Sequence, residues 1–181
     1  MDLLLIRHAP TAYNLSNVFM GSLDHNADVP PDMKEIKSLR ETLAATQTAD
    51  KYYCSPMQRA ITTAKAILPD VSFTIDDRLR EKSLGKWEGG NKAELMSKYP
   101  SAFNSDGKLN LRYEIEGGES YDLFIHRIES FLDEVKRDSC DTVLAVTHSG
   151  VISSVLNMYD NEITSAYVRN IGHLHLYKIK I

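Results

Sequence analysis

Arg7 and His8 follow directly on the apolar run Leu3-Leu4-Leu5-Ile6. A guanidinium beside an imidazole suits an anion, and a phosphate most of all, because the fork of N–H donors matches two phosphoryl oxygens while the imidazole can titrate. The juxtaposition recurs further along. Tyr52-Tyr53-Cys54 runs into Ser55-Pro56-Met57-Gln58-Arg59, and Thr142-Val143-Leu144-Ala145-Val146 runs into Thr147-His148-Ser149-Gly150. A neutral histidine can attack phosphorus when its other ring nitrogen is held, and the phosphohistidine so formed splits one transfer into two. Arginines would stabilise charge on the equatorial oxygens. The leaving oxygen needs a proton. A carboxylic acid on the irregular, glycine-bearing segment around Glu81 could supply it, then take one back from water.

These groups must be positioned by the elements around them. Each apolar run reads as a strand and each polar stretch as the turn after it. In an open α/β sheet, ligands sit beyond the carboxyl ends of the strands. Helices after such turns also direct their N-termini toward the same edge, which favours anions.

The remaining pattern fits this frame. Thr11 to about Val18 reads as a short helix and Met20–Pro31 as a loop. From Asp32, a plausible cap, Ile36, Leu39, Leu43 and Ala44 share a helical face. Ser55 and Pro56 read as cap and first turn of a helix with Ala60, Ile61, Ala64, Ile67 and Leu68 inward. Val71–Ile75 reads as a strand and Asn91–Tyr99 as a helix. Ser101–Gly118 reads as a covering segment. Glu119–Arg137 is a strong helix with Leu123, Ile128, Phe131, Leu132 and Val135 inward. A helix runs from Val151 to Met158, and Ala166–Arg169 with Leu174–Ile181 suggest a hairpin. The order β-α-β-α-β-loop-α-β-α-β-β predicts a three-layer α/β/α sandwich around one mostly parallel sheet, mixed by the last hairpin. The length, 181 residues, suits a single domain over 1–181.

Composition sets the outer bounds. The chain is 43% hydrophobic and 25% charged, with a formal net charge of −4. That is ordinary globular usage, with no general attraction to nucleic acid or a membrane surface. An anion site must then be local. Cys54 and Cys140 lie in apolar surroundings without metal or redox spacing, and read as buried, reduced thiols suited to the cytoplasm. Leu3–Ile6 is too short for a signal peptide or a membrane span.

Taken together, the motifs resemble the histidine phosphatase superfamily, the phosphoglycerate-mutase-like proteins. Arg7-His8-Ala9-Pro10-Thr11 looks like its first signature, and Ser55-Pro56-Met57-Gln58-Arg59-Ala60 with Thr63-Ala64 is similar to its second-arginine motif. Leu79-Arg80-Glu81 with Gly85-Lys86-Trp87-Glu88-Gly89 resembles its acid-bearing segment. Glu116-Gly117-Gly118-Glu119-Ser120 looks like its helix-opening motif, and Val146-Thr147-His148-Ser149-Gly150 resembles its second-histidine motif. The resemblance implies His8 as phosphorylated nucleophile and Glu81 as general acid and base. It implies Arg7, Arg59 and His148 as phosphoryl ligands, with Asn14 touching phosphate as well. It implies no metal and no cofactor.

Ser149 occupies the place where another branch carries its acid, which favours Glu81. Ala9 stands where the family usually has glycine, and Val29-Pro30-Pro31-Asp32 replaces its usual motif before the second helix. The expected activity is hydrolysis of a small phosphomonoester, of the α-ribazole-5′-phosphate phosphatase type or of broad specificity. A phosphoglycerate mutase is the alternative, and a non-catalytic phospho-ligand binder the second.

Other polar residues read more plainly. Trp87 packs the acid-bearing loop, and Glu88 is structural. Asp24, His25 and Asp28 belong to a polar loop, and His126 to a helix surface. His173 and His175 share a strand face but lack further ligands for zinc. Lys108, Arg112 and Tyr113 could meet a substrate, and the C-terminal strand could form a sheet edge that pairs in a homodimer.

Overall fold

Leu3, Leu4, Leu5 and Ile6 are all but inaccessible, and they form the middle of β1 (Asp2–Arg7) in a computed structural model that describes residues 1–24, 32–46, 48–159 and 166–181. β4 (Thr142–Thr147) lies parallel to β1 on one side, with Arg7 opposite Thr147. β2 (Lys51–Cys54) lies parallel to β4, and the two-residue β3 (Thr74–Ile75) parallel to β2. On the other side of β1, β5 (Leu176–Lys180) runs antiparallel. The order β3-β2-β4-β1-β5 therefore makes one mixed, mostly parallel sheet, with β5 at an edge.

Both faces of this sheet are covered, and the two-residue period of a strand explains how. Leu3 and Leu5 of β1, with Val143 and Ala145 of β4, pack against α5 (Tyr121–Arg137) and α6 (Ser149–Tyr159). Leu4 and Ile6, with Leu144 and Val146, pack against α2 (Met33–Ala44) and α3 (Gln58–Ile67) on the opposite face. A strand buried on both faces must be apolar throughout, as β1 and β4 are. α5 contributes Phe124, Ile128, Phe131, Leu132 and Val135, each burial stabilising by roughly 1.5–3 kcal/mol.

The first helix after β1, α1 (Ala12–Leu15), is shorter than its sequence suggests. Thr11 caps it, accepting from Asn14 N, while Asn14 Oδ1 accepts from Thr11 N at 3.0 Å. A third apolar group lies away from the sheet. Trp87 stacks with Phe103, Tyr99 and Tyr113, close to α4 (Lys92–Lys98). This aromatic nucleus organises the long segment between β3 and α5.

Several local readings are corrected. Leu123 is 65% exposed and Phe124 takes the inward place, because the stripe through 124, 128, 131 and 135 leaves residue 123 about 100° off it. Ala44 is exposed, while Leu43 packs in part against the core. Residues 71–73 stay outside the sheet. The C-terminal hairpin does not form. Leu111 N donates to Ala166 O and Val168 N to Leu109 O, so residues 166–168 pair with the covering segment and β5 pairs with β1. Each segment finds its backbone partners on an element distant in sequence, which local alternation cannot reveal. Among the described residues no helix is long and apolar enough to cross a membrane.

Candidate active site

Register brings three strand ends together. Because β1 and β2 flank β4, Arg7 lies level with Thr147 and Cys54 with Val146. The ladder continues one residue past the strands: His8 N donates to Thr147 O and Ser55 N to Val146 O, both at 3.0 Å. His8, the Ser55 turn and His148 therefore leave the sheet at one edge. A cavity of about 320 Å³ opens there. Arg7, His8, Asn14, Arg59 and Glu81 line it, together with Ser149 and Gly150. His148 is fully buried behind that lining, its ring centroid 5.1 Å from that of His8.

The polar atoms of His8 are almost all committed. Its Nδ1 lies 2.7 Å from Ala9 O. A carbonyl only accepts, so Nδ1 carries the proton and Nε2 keeps the lone pair. Burial, then Arg59, Arg7 and His173, hold the His8 pKa well below the usual histidine value. His148 is held down in the same way, by burial and then by Arg59, His8 and Arg7. Both rings are neutral at pH 7. Ala9 N donates to Thr63 Oγ1 at 2.9 Å, and Thr63 Oγ1 donates to Arg59 O at 2.7 Å. Among described non-glycine residues only Asn17 and Leu174 have positive φ, so alanine at position 9 strains nothing.

Arg59 is 2% exposed, on the first turn of α3. Its Nη1 donates to Leu23 O at 2.6 Å and its Nη2 to Gly21 O at 2.9 Å. Gly21 has φ +52, and a Cβ there would also overlap Glu88 Oε1 and approach Leu84 N to 2.9 Å, so glycine is required. Arg7 Nη1 donates to Ile171 O at 2.5 Å. These carbonyls fix the two guanidiniums without neutralising them. Asp24 Oδ1, partly exposed, lies 3.9 Å from Arg59 Nη1, and the Glu81 carboxylate acts on both guanidiniums from across the cavity. Arg7 Nε, Arg59 Nε and His148 Nδ1 are buried with no hydrogen-bond partner among the described residues. Buried polar atoms are nearly always paired, so the two orphaned guanidinium N–H groups that line the cavity mark a place for an acceptor-rich anion.

Glu81 hangs on the segment after a 3₁₀ turn, Asp77–Leu79. Its Oε2 accepts from Gly150 N at 3.1 Å and its Oε1 from Lys82 N at 3.0 Å. A Cβ at position 150 would overlap Glu81 Oε1, so glycine after Ser149 admits the carboxylate. Arg127 braces the segment from α5, donating to Arg78 O at 2.5 Å and Glu81 O at 3.3 Å, and pairing with Glu119 at 2.8 Å. Lys82, 2% exposed, donates its ammonium to Glu119 O.

Several working residues escape local sequence reasoning. Ser55 does not cap α3, whose N-cap is Met57. Its Oγ instead lies 2.7 Å from His148 Nε2. Asp24 serves as the distant cap, accepting from Gln58 N at 2.8 and 2.9 Å. Glu88 Oε1 accepts from Ser22 N at 2.7 Å, Ser22 Oγ at 2.8 Å and Leu84 N at 2.8 Å, clipping the acid-bearing loop to the Gly21 turn. His173 reaches the His8 carbonyl. Lys82, Lys92, Lys108 and Arg169 add positive charge to the lining. Burial and nearby Arg7 and Lys108 lower the Lys92 pKa. These partners lie too far apart in sequence for spacing to expose them. His126 is exposed, and no described group of three His, Cys, Asp or Glu could hold a metal ion. His25 and Asp28 lie outside the described residues. Burial raises the Cys54 thiol pKa to about 12, so it stays inert.

Comparison with known proteins shows the family and the fold. The sequence model of the histidine phosphatase superfamily, branch 1, matches residues 3–180. Phosphoserine phosphatase 1 of Hydrogenobacter thermophilus is 32% identical over 156 residues, covering 82% of this chain and 71% of that protein. A 2,3-bisphosphoglycerate-dependent phosphoglycerate mutase of Bacteroides fragilis is 27% identical over 205 positions, covering 89% and 80%. The crystal structure of the α-ribazole phosphatase of Shigella flexneri superposes with a TM-score of 0.76 at 24% identity, covering 100% of this chain and 91% of that one, and so shares the fold.

Proposed function

The chain belongs to branch 1 of the histidine phosphatase superfamily and is a phosphatase, and on that premise we propose that it hydrolyses a small-molecule phosphomonoester through a phosphohistidine on His8. The observation that carries this reading is the pair of orphaned guanidinium donors, on Arg7 and Arg59, with the buried His148 beside them, around an imidazole whose lone pair is on Nε2. In the first step Nε2 attacks phosphorus and the bond to the leaving oxygen breaks. That oxygen takes its proton from the Glu81 carboxyl, and the alcohol departs. In the second step Glu81 takes a proton from water as its oxygen attacks the phosphohistidine, which returns His8 and releases phosphate. Arg7, Arg59 and His148 hold the equatorial oxygens throughout, a fixed set of donors that need not reorganise as charge moves. Asn14 Oδ1 is engaged by Thr11, which leaves its NH2 group as a further donor.

Hydrolysis is favoured over the mutase reaction. The alignment with the mutase is longer than the 181-residue chain itself, so that enzyme carries insertions which this chain lacks. The substrate is proposed to be of the α-ribazole-5′-phosphate type or one of several small phosphomonoesters, phosphoserine among them. Positive charge from Lys82, Lys92 and Lys108 suits an anionic substrate. The test is release of phosphate from an aryl phosphate in excess chelator by the native chain, His8→Ala and Glu81→Gln, with acid-labile, base-stable phosphoenzyme trapped on His8. Native inactivity on a broad panel of phosphomonoesters, or loss of activity in chelator, would overturn the reading. Conversion of 3-phosphoglycerate to the 2-isomer in the presence of a bisphosphate primer would establish the mutase instead.

A further inference from the structure

His173 has no part in the reaction just described, yet it bonds directly to the backbone of the nucleophile. Its Nδ1 lies 2.7 Å from His8 O, and since the carbonyl accepts, Nδ1 is the protonated nitrogen. The two rings meet edge to face, with centroids 5.3 Å apart and planes at 69°. The contact belongs to a strap. Arg7 Nη1 donates to Ile171 O at 2.5 Å, and Leu174 N donates to Arg7 O at 3.0 Å. Residues 171, 173 and 174 therefore hold consecutive groups of the Arg7–His8 turn. Leu174 adopts φ +52, a conformation that leucine rarely takes, and it is this backbone that presents its N–H to Arg7.

The polar atoms of His8 can now be accounted for completely. Its N–H is fixed by Thr147, its carbonyl by His173 and its Nδ1 by Ala9. Only Nε2 remains. We infer that His173 is a positioning residue for the phosphoryl-transfer step, fixing the direction of the His8 Nε2 lone pair through its bond to the His8 carbonyl. The inference rests on His8 being the nucleophile. Its physical ground is that in-line attack tolerates little error: a misplacement of about 1 Å can cost on the order of a hundredfold in rate. Arg7, Lys92 and His8 are the charged or titratable groups that act on or touch His173. Burial, then Arg7, pushes the His173 pKa down to about 4, so at neutral pH the ring is uncharged and its single proton is on the nitrogen that meets the carbonyl.

The test compares His173→Asn, whose amide N–H can take the place of Nδ1–H, with His173→Leu, of similar size but without a donor, and His173→Phe, which keeps a ring. The expected result is a kcat lower by roughly 10- to 100-fold for the Leu and Phe variants, with KM within about threefold of native. The Asn variant should regain most of the rate. Affinity for orthovanadate, which adopts the five-coordinate geometry of the transition state, should fall in proportion to kcat, while affinity for inorganic phosphate stays level. Native kcat in the Leu and Phe variants would overturn the inference. So would an Asn variant as slow as Leu, or a rise in KM at constant kcat. Failure of the Leu and Phe variants to fold, with or without Asn, would assign the bond to stability and overturn the positioning role. Should native enzyme itself form no phosphohistidine, the proposed function falls. If native enzyme forms it and the variants keep their rate, only the role of His173 falls.

Discussion

The floor and the roof of the cavity are built on different physics. The floor is made of strand ends and the first turn of α3, and it sets Arg59, His8 and His148 at 0–3% exposure among backbone carbonyls. The roof hangs on an aromatic nucleus, Trp87 stacked with Tyr99 and with Phe103 at centroid distances of 5.0 and 5.9 Å, and its Glu81 rests on the amide of Gly150. The floor therefore holds its two guanidiniums rigidly, each tied to backbone carbonyls: Arg59 to Gly21 and Leu23, Arg7 to Ile171. The roof is held by side-chain packing and by carboxylates, Glu88 clipping it to the Gly21 turn and Glu119 pairing with Arg127, which braces it from α5. On the proposed function, the groups that would bind a phosphoryl group are separated from those that would cover the substrate, so substrate preference could change in the roof while the chemistry below is left intact.

The contrast is sharpest at the nucleophile. His8→Ala should lower kcat/KM for an aryl phosphate by at least about 10³-fold, since the other imidazole of the floor, His148, is fully buried with its Nε2 2.7 Å from Ser55 Oγ. Steady-state assay with a phosphoenzyme trap checks this, and a variant above a tenth of native activity would show that the floor is not where bonds change. Glu81→Gln keeps the shape of the roof's contribution and removes its proton. A loss of about 10²–10⁴-fold is expected for alkyl phosphates, and a much smaller one for aryl phosphates, whose leaving groups need less help. Equal losses on both substrates would break the assignment of the acid to the roof.

Stability should divide along the same line. Trp87→Ala should cost about 3–5 kcal/mol in denaturant unfolding and raise KM more than it lowers kcat for small aryl substrates. A reduction in kcat as large as that of Glu81→Gln would mean that roof and floor are not separable. Acid should attack the floor. His8 and His148 have pKa values well below 6.5 in the folded chain and near 6.5 when unfolded, so below pH 6.5 the unfolded state binds more protons. Stability is therefore full above pH 6.5 and falls as pH drops below it, by up to about 1.4 kcal/mol per pH unit for each histidine. Urea midpoints measured from pH 7.5 downward check the sign. A midpoint that rises as pH falls from 6.5 to 5 would show that the rings are charged in the fold.

Much of this could be read from the chain. The runs Leu3–Ile6 and Thr142–Val146 are apolar throughout, and only a strand covered on both faces has that requirement, so the three-layer sheet was legible. The helices after Asp32 and Glu119 were legible from their period, though not to the residue, as Leu123 shows. Partners were another matter. Ser55 carries the signal of a cap, and only the neighbouring strand end makes it a partner for His148. Residues 166–169 alternate like a strand, yet their partner is 109–111.

Residue types and spacing alone determined which groups could do phosphoryl chemistry: two histidines, two arginines and a carboxylate, each after a strand or in a glycine-bearing turn. Spacing works for these because a strand end is a local event, written in a few consecutive residues. Only the tertiary structure decided that His8 keeps its lone pair on Nε2, that Glu81 rests on the amide of Gly150, and that His173 holds the His8 carbonyl. The last two depend on hydrogen bonds between residues 69 and 165 positions apart, and the first on a backbone geometry that turns the Ala9 carbonyl onto His8 Nδ1; no residue pattern encodes any of these.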